Sequence, residues 1–418
     1  MRVADYPNEC ANRRFGGKMI RALITLVGLL GFALAQKPLV IPFWHTAGPP
    51  AQELFEQFIG EFNSKQKEYK IEPRFVGDYT EGGLKLLAAM RSGGAPALFM
   101  GEISFLGRMV QEGVALPLDE YLAGAPSDFF PGFIETGRLA GKTYGLPIGL
   151  SVPVLFYNAD QFAAKGLSAP KTWQEVEAAA KRLSTRAAKG YLASSDIYSF
   201  NVLVMSRGGS LVDASGKPDL VNPKVVESLE FLQNMVKKGA AQSRTIAEAE
   251  FSVADFIRTK AFMGVAPITF WPVIEDRTNI PFKLGIAAIP LEPGGKVPLA
   301  GASLVVIRGA NHEQARGSVV FWRYLMEPAN IARWVKTTYY MPMRRAAQPF
   351  LEDFYKADPR RRAAFAQVED TAVWIQDPGF VVWYKDLENA LERALKGGVP
   401  ARVALEEAQK KALLGDKQ

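Results

Sequence analysis

Leu39-Val-Ile-Pro-Phe-Trp44, followed after a short Gly- and Pro-containing gap by Pro50-Ala-Gln-Glu-Leu-Phe-Glu-Gln-Phe-Ile-Gly-Glu-Phe62, decides the fold. The first run is short and almost wholly apolar, the pattern of a strand buried on both faces. In the second, Leu54, Phe55, Phe58, Ile59 and Phe62 recur at helical spacing, which gives a helix one apolar face. A second strand is expected around 69–76, a second helix around 82–91 and a third strand around 97–100. Strand, helix, strand, helix, strand is the rhythm of a parallel sheet covered by helices, so the fold class is α/β.

The same alternation resumes at Val152–Tyr157, and Thr172-Trp-Gln-Glu175 has the spacing of a capping box, with Glu175 reaching back to the Thr172 amide. That helix is expected to run to about Leu183, and another from Pro223 to about Lys237. Strands are expected at 284–289 and 303–307, then a helix from 313 to 326 closed by Pro328, then a charged helical region broken by Asp377-Pro-Gly379. Gly216-Lys217 is no phosphate loop, because Leu211 stands where the first glycine is needed and Pro218 follows the lysine. There is no internal repeat and no low-complexity tether.

With 418 residues, 48% hydrophobic, the chain is long enough for two or three domain-sized units. A net charge of +7, much of it before residue 37, is too dispersed to argue for a nucleic-acid polymer as partner. Lys18 and Arg21 flank an apolar run from Ala22 to Leu34 that ends in Ala33-Leu-Ala35, so residues 1–36 read as an N-terminal extension plus a signal peptide cleaved near Ala35. A membrane anchor is the alternative, but the run is shorter than the ~20 apolar residues of a spanning helix. The lone cysteine, Cys10, precedes the run, which leaves the exported chain without thiol, disulfide or lipid attachment.

His45 and His312 are the two histidines, and neither Gly-x-Ser-x-Gly nor His-Glu-x-x-His occurs, so nucleophilic triads and zinc sites are poorly supplied. A hydrolase built on two carboxylates needs no local motif and stays open, as does an exported adhesion protein.

Several motifs, in order along the chain, resemble one family. They are Phe43-Trp-His45, Gly77-Asp-Tyr79, Gly93-Gly-Ala-Pro-Ala-Leu98, Gly141-Lys-Thr-Tyr-Gly-Leu-Pro147, Val154-Leu-Phe-Tyr-Asn158, Gly301-Ala-Ser303 and Tyr340-Met-Pro342. Together with Lys171-Thr-Trp-Gln-Glu175 they are similar to the extracellular solute-binding proteins of ABC importers that include maltose-binding and glycerol-3-phosphate-binding proteins, the latter branch above all. The resemblance implies a two-lobed, maltose-binding-like periplasmic-binding-protein fold (type II) whose chain crosses between lobes three times. Residues 37–149 plus 286–343 would form the N-lobe, and 150–285 plus 344–418 the C-lobe. It further implies a periplasmic, monomeric protein without catalysis, cofactor or metal, whose partners are a small polar organic ligand and the permease subunits in the membrane.

Carried over motif by motif, the resemblance implies ligand contacts from Tyr79, Glu102, Ser151, Gly301 and Tyr340, with Asp78 and Ser303 beside them. Carboxylate and hydroxyl groups suit a polyol, and a glycine amide lets an oxyanion approach closely. The family's contact serine falls at Pro267, with Thr269 the nearest substitute. Its phosphate-binding arginine falls at Gln376, which cannot replace a guanidinium fork, so Arg344 is the alternative cation. Phe270, Trp271 and Trp374 add ring faces that stack on sugars, cationic groups or bases. The expected ligand is therefore a glycerophosphodiester, a glycerol-phosphate-type or carbohydrate solute, or a nucleotide-like compound. Plain structural roles compete at each position: Tyr79 and Tyr340 as strand-end caps, Glu102 as a helix N-terminal carboxylate, Trp44 as core, His45 as a hydrogen-bond partner behind the cleft.

Overall fold

The computed structural model describes residues 37–245, 250–275 and 279–415. The expected signal segment, with Cys10 and Ala35, lies outside the described residues. In chain order the elements that position the site are β1 (Leu39–His45), α1 (Ala51–Lys65), β2 (Tyr69–Phe75), α2 (Tyr79–Ser92), β3 (Leu98–Glu102), β4 (Gly145–Ser151), β5 (Pro153–Asn158), α3 (Trp173–Leu183), β6 (Tyr191–Ser194), α4 (Ile197–Ser206), β7 (Ala241–Arg244), β8 (Met263–Pro267), β9 (Leu284–Ala287), β10 (Ala300–Val306), α5 (His312–Leu325), α6 (Pro328–Thr338) and α7 (Phe380–Leu395).

A first sheet has the order β2-β1-β3-β10-β4. Its β1, β2 and β3 are parallel, with Leu39 opposite Tyr69 and Phe43 opposite Leu98, while β10 runs antiparallel to both β3 and β4. A second sheet is built from β8-β5-β9, all neighbours antiparallel, and the parallel pair β6-β7 joins it through the bridge between Lys189 and Ala261. The second assembly thus repeats the first: three parallel strands, then two antiparallel ones. The chain leaves the first sheet at Ser151, enters the second at Pro153, and returns between β9 and β10.

The apolar stripe on α1 packs as its spacing requires: Leu54, Phe55, Phe58, Ile59 and Phe62 are buried. Phe43 of β1 meets Phe55 and Phe321 edge-on at 5.7 and 6.2 Å, so α1 and α5 share one face of the sheet. Each such ring contributes roughly 1.5–3 kcal/mol by leaving water. Gly317 lets α5 lie against the strands, since a Cβ there would fall 2.4 Å from the Tyr69 ring. The opposite face is closed by Val76, Leu86, Phe99 and Leu106.

One helix start and one cap differ from the sequence expectation in ways that bear on the fold. Helix α2 begins at Tyr79, three residues early, because the Asp78 carboxylate accepts the Glu81 amide at 2.8 Å and caps a polar first turn that hydrophobic spacing does not mark. At α3 the Thr172 hydroxyl accepts the Glu175 amide at 3.1 Å as expected, but the Glu175 carboxylate takes the Lys171 amide at 2.6 Å instead of that of Thr172. Glu175 therefore ties down the residue before the cap. We expect Thr172→Ala to cost about 1 kcal/mol in chemical denaturation, the usual worth of one cap; an unchanged midpoint would show that Glu175 suffices alone.

Candidate ligand-binding site

In open α/β sheets, ligands meet the carboxyl ends of parallel strands, where helix N-termini and loops replace backbone pairing. For the first sheet these ends are His45, Phe75 and Glu102. The antiparallel strands bring further residues to the same edge: Ala300 lies opposite Ser151, Gly301 opposite Leu150, and Ala302 opposite Glu102. After α6 the chain turns through Tyr339, in the left-handed region at φ 60°, and the Met341 amide donates to the Leu150 carbonyl at 2.8 Å, which fixes Tyr340 beside the end of β4. Tyr79, the first residue of α2, completes the group. Its phenol lies beside that of Tyr340, close enough for each to influence the other's ionisation. The structure thus brings Tyr79, Glu102, Ser151, Gly301 and Tyr340 to one edge of one sheet.

Tyr79, Glu102 and Tyr340 are surrounded by protein yet keep partial accessibility, as residues lining a cleft do. Burial pushes Tyr79 well above the ordinary tyrosine range, and Tyr340 and the Glu102 carboxyl add to the shift. Burial also raises Glu102, against the opposing hydrogen bond of the Ser104 hydroxyl. Tyr340 is raised by burial as well, and its ring stacks on Trp334 at 5.8 Å. Such a cluster offers an acceptor carboxylate and two phenols that both donate and accept, which is complementary to a vicinal diol.

The other expected contacts divide between residues held by protein partners and residues with unpaired or exposed groups. Ser151 is buried with its hydroxyl 3.4 Å from the Val152 carbonyl, and Ser303 is buried with Oγ unpaired. His45 sits among Phe43, Phe55 and Phe75, its Nδ1 without a partner, and burial lowers its pKa. Trp44 points to the other face of β1, as strand alternation demands. There it lies under Arg74 at 5.1 Å and lines a groove of ≈ 490 Å³ with Phe75 and Lys85. The Trp271 indole N–H donates to Glu275, with Arg360 over the ring at 4.7 Å. Thr269 is half-buried in the turn after β8, and Phe270 beside it is exposed. Arg344 donates to the Asp128 carboxylate at 2.7 Å and to the Met326 carbonyl at 2.6 Å. Gln376 donates to the Thr136 carbonyl at 2.8 Å.

The profile of the family described as bacterial extracellular solute-binding protein matches residues 57–363. The chain belongs to this family. As a solute-binding protein it is the ligand-binding component of an ABC importer, and its relatives are substrate-binding proteins, not enzymes. It is similar to the sn-glycerol-3-phosphate-binding periplasmic protein UgpB of Escherichia coli (strain K12), 26% identical over 369 residues that cover 81% of this chain and 83% of the relative. Among solved structures it is similar to UgpB from Mycobacterium tuberculosis in complex with glycerophosphocholine (TM-score 0.79, 21% identity, 91% of this chain and 99% of that one). It is also similar to the sugar-binding protein MalE from the phytopathogen Xanthomonas citri (TM-score 0.80, 19% identity, 90% and 98%). These likenesses show the maltose-binding-like α/β fold. Among the described residues no helix is long and apolar enough to cross a membrane, and no group of His, Cys, Asp or Glu could hold a metal ion.

The solute-binding protein has a second polar wall that sequence reasoning misses. Ser194 and Ser195, at the end of β6, Ser243 near the end of β7, and Tyr198 and Asn201 on α4 carry buried polar atoms with no hydrogen-bond partner among the described residues, as does the Trp374 indole N–H. Rings connect this wall to Glu102. Tyr384, whose pKa Glu102 helps to raise, packs on Phe380 at 5.6 Å; Phe380 meets Trp374 edge-on at 6.3 Å; and Trp374 stacks on Tyr198 at 5.7 Å. The signal available in the sequence is the polar triplet Ser194-Ser-Asp196 between a short strand and a helix start, but a four-residue strand has too few positions for its periodicity to be seen.

Proposed function

We propose that this solute-binding protein takes up a glycerophosphodiester, glycerol-phosphate-type or carbohydrate solute by closure of two lobes over it, and delivers it to the permease. The lobes are 37–149 plus 286–343 and 150–285 plus 344–418, joined by three crossings, and the protein works as a periplasmic monomer after cleavage near Ala35, with no nucleic-acid polymer as partner. The observation that carries this reading is the meeting of Tyr79, Tyr340 and Glu102 at the carboxyl edge of the first sheet. It is supported by the unpaired polar atoms at the equivalent edge of the second. A ligand that touches both walls draws the open–closed equilibrium toward the closed form.

The test is X-ray scattering on the purified chain from residue 37 onward, with and without the solute that native mass spectrometry finds bound to it. A smaller radius of gyration with solute is expected. No compaction with any solute in a broad panel would instead favour an adhesion role.

A further inference from the structure

Parallel strands are normally covered by helices on both faces, and one corner of the first sheet is not. On the face opposite α1 and α5, alternation brings Val40, Pro42 and Trp44 of β1 beside Lys70, Glu72 and Arg74 of β2, and all but the half-buried Trp44 are exposed. Helix α2 closes this face over β3, where Leu86 joins Phe99 in a buried cluster, and leaves β1 and β2 bare. The gap is the groove of ≈ 490 Å³, with Trp44 and Arg74 on its strand side and Lys85, Ala88 and Ser92, spaced along one face of α2, on the other. Two large apolar side chains stand at its rim: Phe75, 47% exposed, and Leu84, 66% exposed.

The charges there are unbalanced. Each nearby carboxylate already has a partner: Glu81 holds Lys85 at 2.7 Å, Glu72 holds Lys70 at 2.8 Å, and Asp78 accepts the Glu81 amide at the α2 N-terminus. Arg74 lies over the Trp44 ring at 5.1 Å and, among the described residues, meets no carboxylate. Arg91, a turn beyond Ala88 on α2, is exposed and likewise meets none. A guanidinium stacked on an indole keeps its N–H fork free for an incoming carboxylate. Trp and Arg with an exposed Phe beside them are also the residue types that dominate the energetics of protein interfaces.

The position of the groove selects its occupant. Trp44 and Phe75 end β1 and β2 at the same carboxyl edge that carries Tyr79 and Glu102. A solute released from that edge passes to whatever faces it, so the receiving permease covers the edge and reaches the groove. Resting on the proposed delivery of solute to the permease, we infer that the groove between α2 and the bare face of β1 and β2 is a docking site for an extracytoplasmic segment of the permease, one that sets a carboxylate against Arg74 and an apolar side chain against Trp44 and Phe75.

The test is binding of the chain from residue 37 onward to its importer's permease subunits in nanodiscs, measured by surface plasmon resonance. Arg74→Glu should weaken binding by about tenfold or more, and added salt should weaken the parent but not this variant. Ala88→Trp, which fills the groove from an exposed helix position, should weaken it by a similar factor. Both variants should keep the parent's melting temperature, its co-purifying solute in native mass spectrometry and its compaction in X-ray scattering, since neither residue belongs to the candidate solute site. Parent-like permease binding by both variants would overturn the docking site and leave the solute-binding reading intact. So would binding of the parent to protein-free anionic vesicles that both variants lose, because the groove would then be a lipid-binding surface. A parent that compacts with solute but does not bind the permease also ends the docking proposal, whereas one that neither compacts nor binds ends the delivery reading on which it rests.

Discussion

Gly301→Ala should destabilise the protein by roughly 3–5 kcal/mol, in the range reached only when backbone strain and steric overlap act together. Gly301 has φ 142°, a region that residues with a side chain avoid. An added Cβ would fall 2.0 Å from the Gly149 carbonyl oxygen and 3.0 Å from its carbon. Those are backbone atoms of β4, so no rotamer change can relieve the contact, and β10 must move away from its neighbour. That movement breaks the pairing of Ala300 with Ser151 and of Ala302 with Gly149, the positions on either side of Gly301. Ligand affinity should fall with stability, because the same strands carry the candidate contacts. Gly93→Ala is the control: its φ of 79° also disfavours alanine, but nothing lies within 4 Å of the added carbon, so about 1 kcal/mol is expected. Equal denaturation midpoints for the two variants would show that φ alone, and not the approach of β4, requires glycine at 301.

The contrast between those two glycines also explains which parts of the molecule are legible in its sequence. The layer order could be read because it depends on repeated, local chemistry: the α1 stripe from Leu54 to Phe62 and the apolar β1 run each declare their faces independently of the rest of the chain. The edge that gathers Tyr79, Glu102, Ser151, Gly301 and Tyr340 draws on five separate segments, and only motif resemblance names them in advance. Resemblance names residue types but not partners, so it cannot tell that Trp271 is held by Glu275 and Arg360, or Arg344 by Asp128. Trp44 and His45 are adjacent in sequence, yet strand alternation sends them to opposite faces. The second wall is the least legible part, because Ser194, Ser195 and Asn201 are ordinary polar residues whose importance lies in being buried without partners. Burial without a partner is a property of the packed fold and has no local signature.

Glu102→Gln should move stability and binding in opposite directions. Burial raises the Glu102 pKa, so in the folded protein the carboxyl holds its proton to a higher pH than in the unfolded chain. The folded state is therefore relieved of this burden below the unfolded carboxyl pKa, loses stability as pH rises from there through the folded pKa, and carries a constant penalty above it. Glutamine is never ionised. At pH 7 the ligand-free variant should be more stable than the parent by about 1 kcal/mol, a figure kept small because the carboxyl retains some accessible surface. The advantage should disappear below about pH 4, where the parent is protonated in both states. Affinity for the solute should meanwhile fall by about 10- to 100-fold, since hydrogen bonds to a charged group are worth roughly 1.5–3 kcal/mol and the amide can reproduce them only in part. For the same reason the parent should bind more tightly as pH rises through the Glu102 pKa, and the variant should show no such dependence. Thermal unfolding and calorimetry across pH 4–8 read both effects on the same samples. A variant that is less stable at pH 7 would identify Glu102 as a structural cap of the turn at Ile103, held for the fold and not for the ligand.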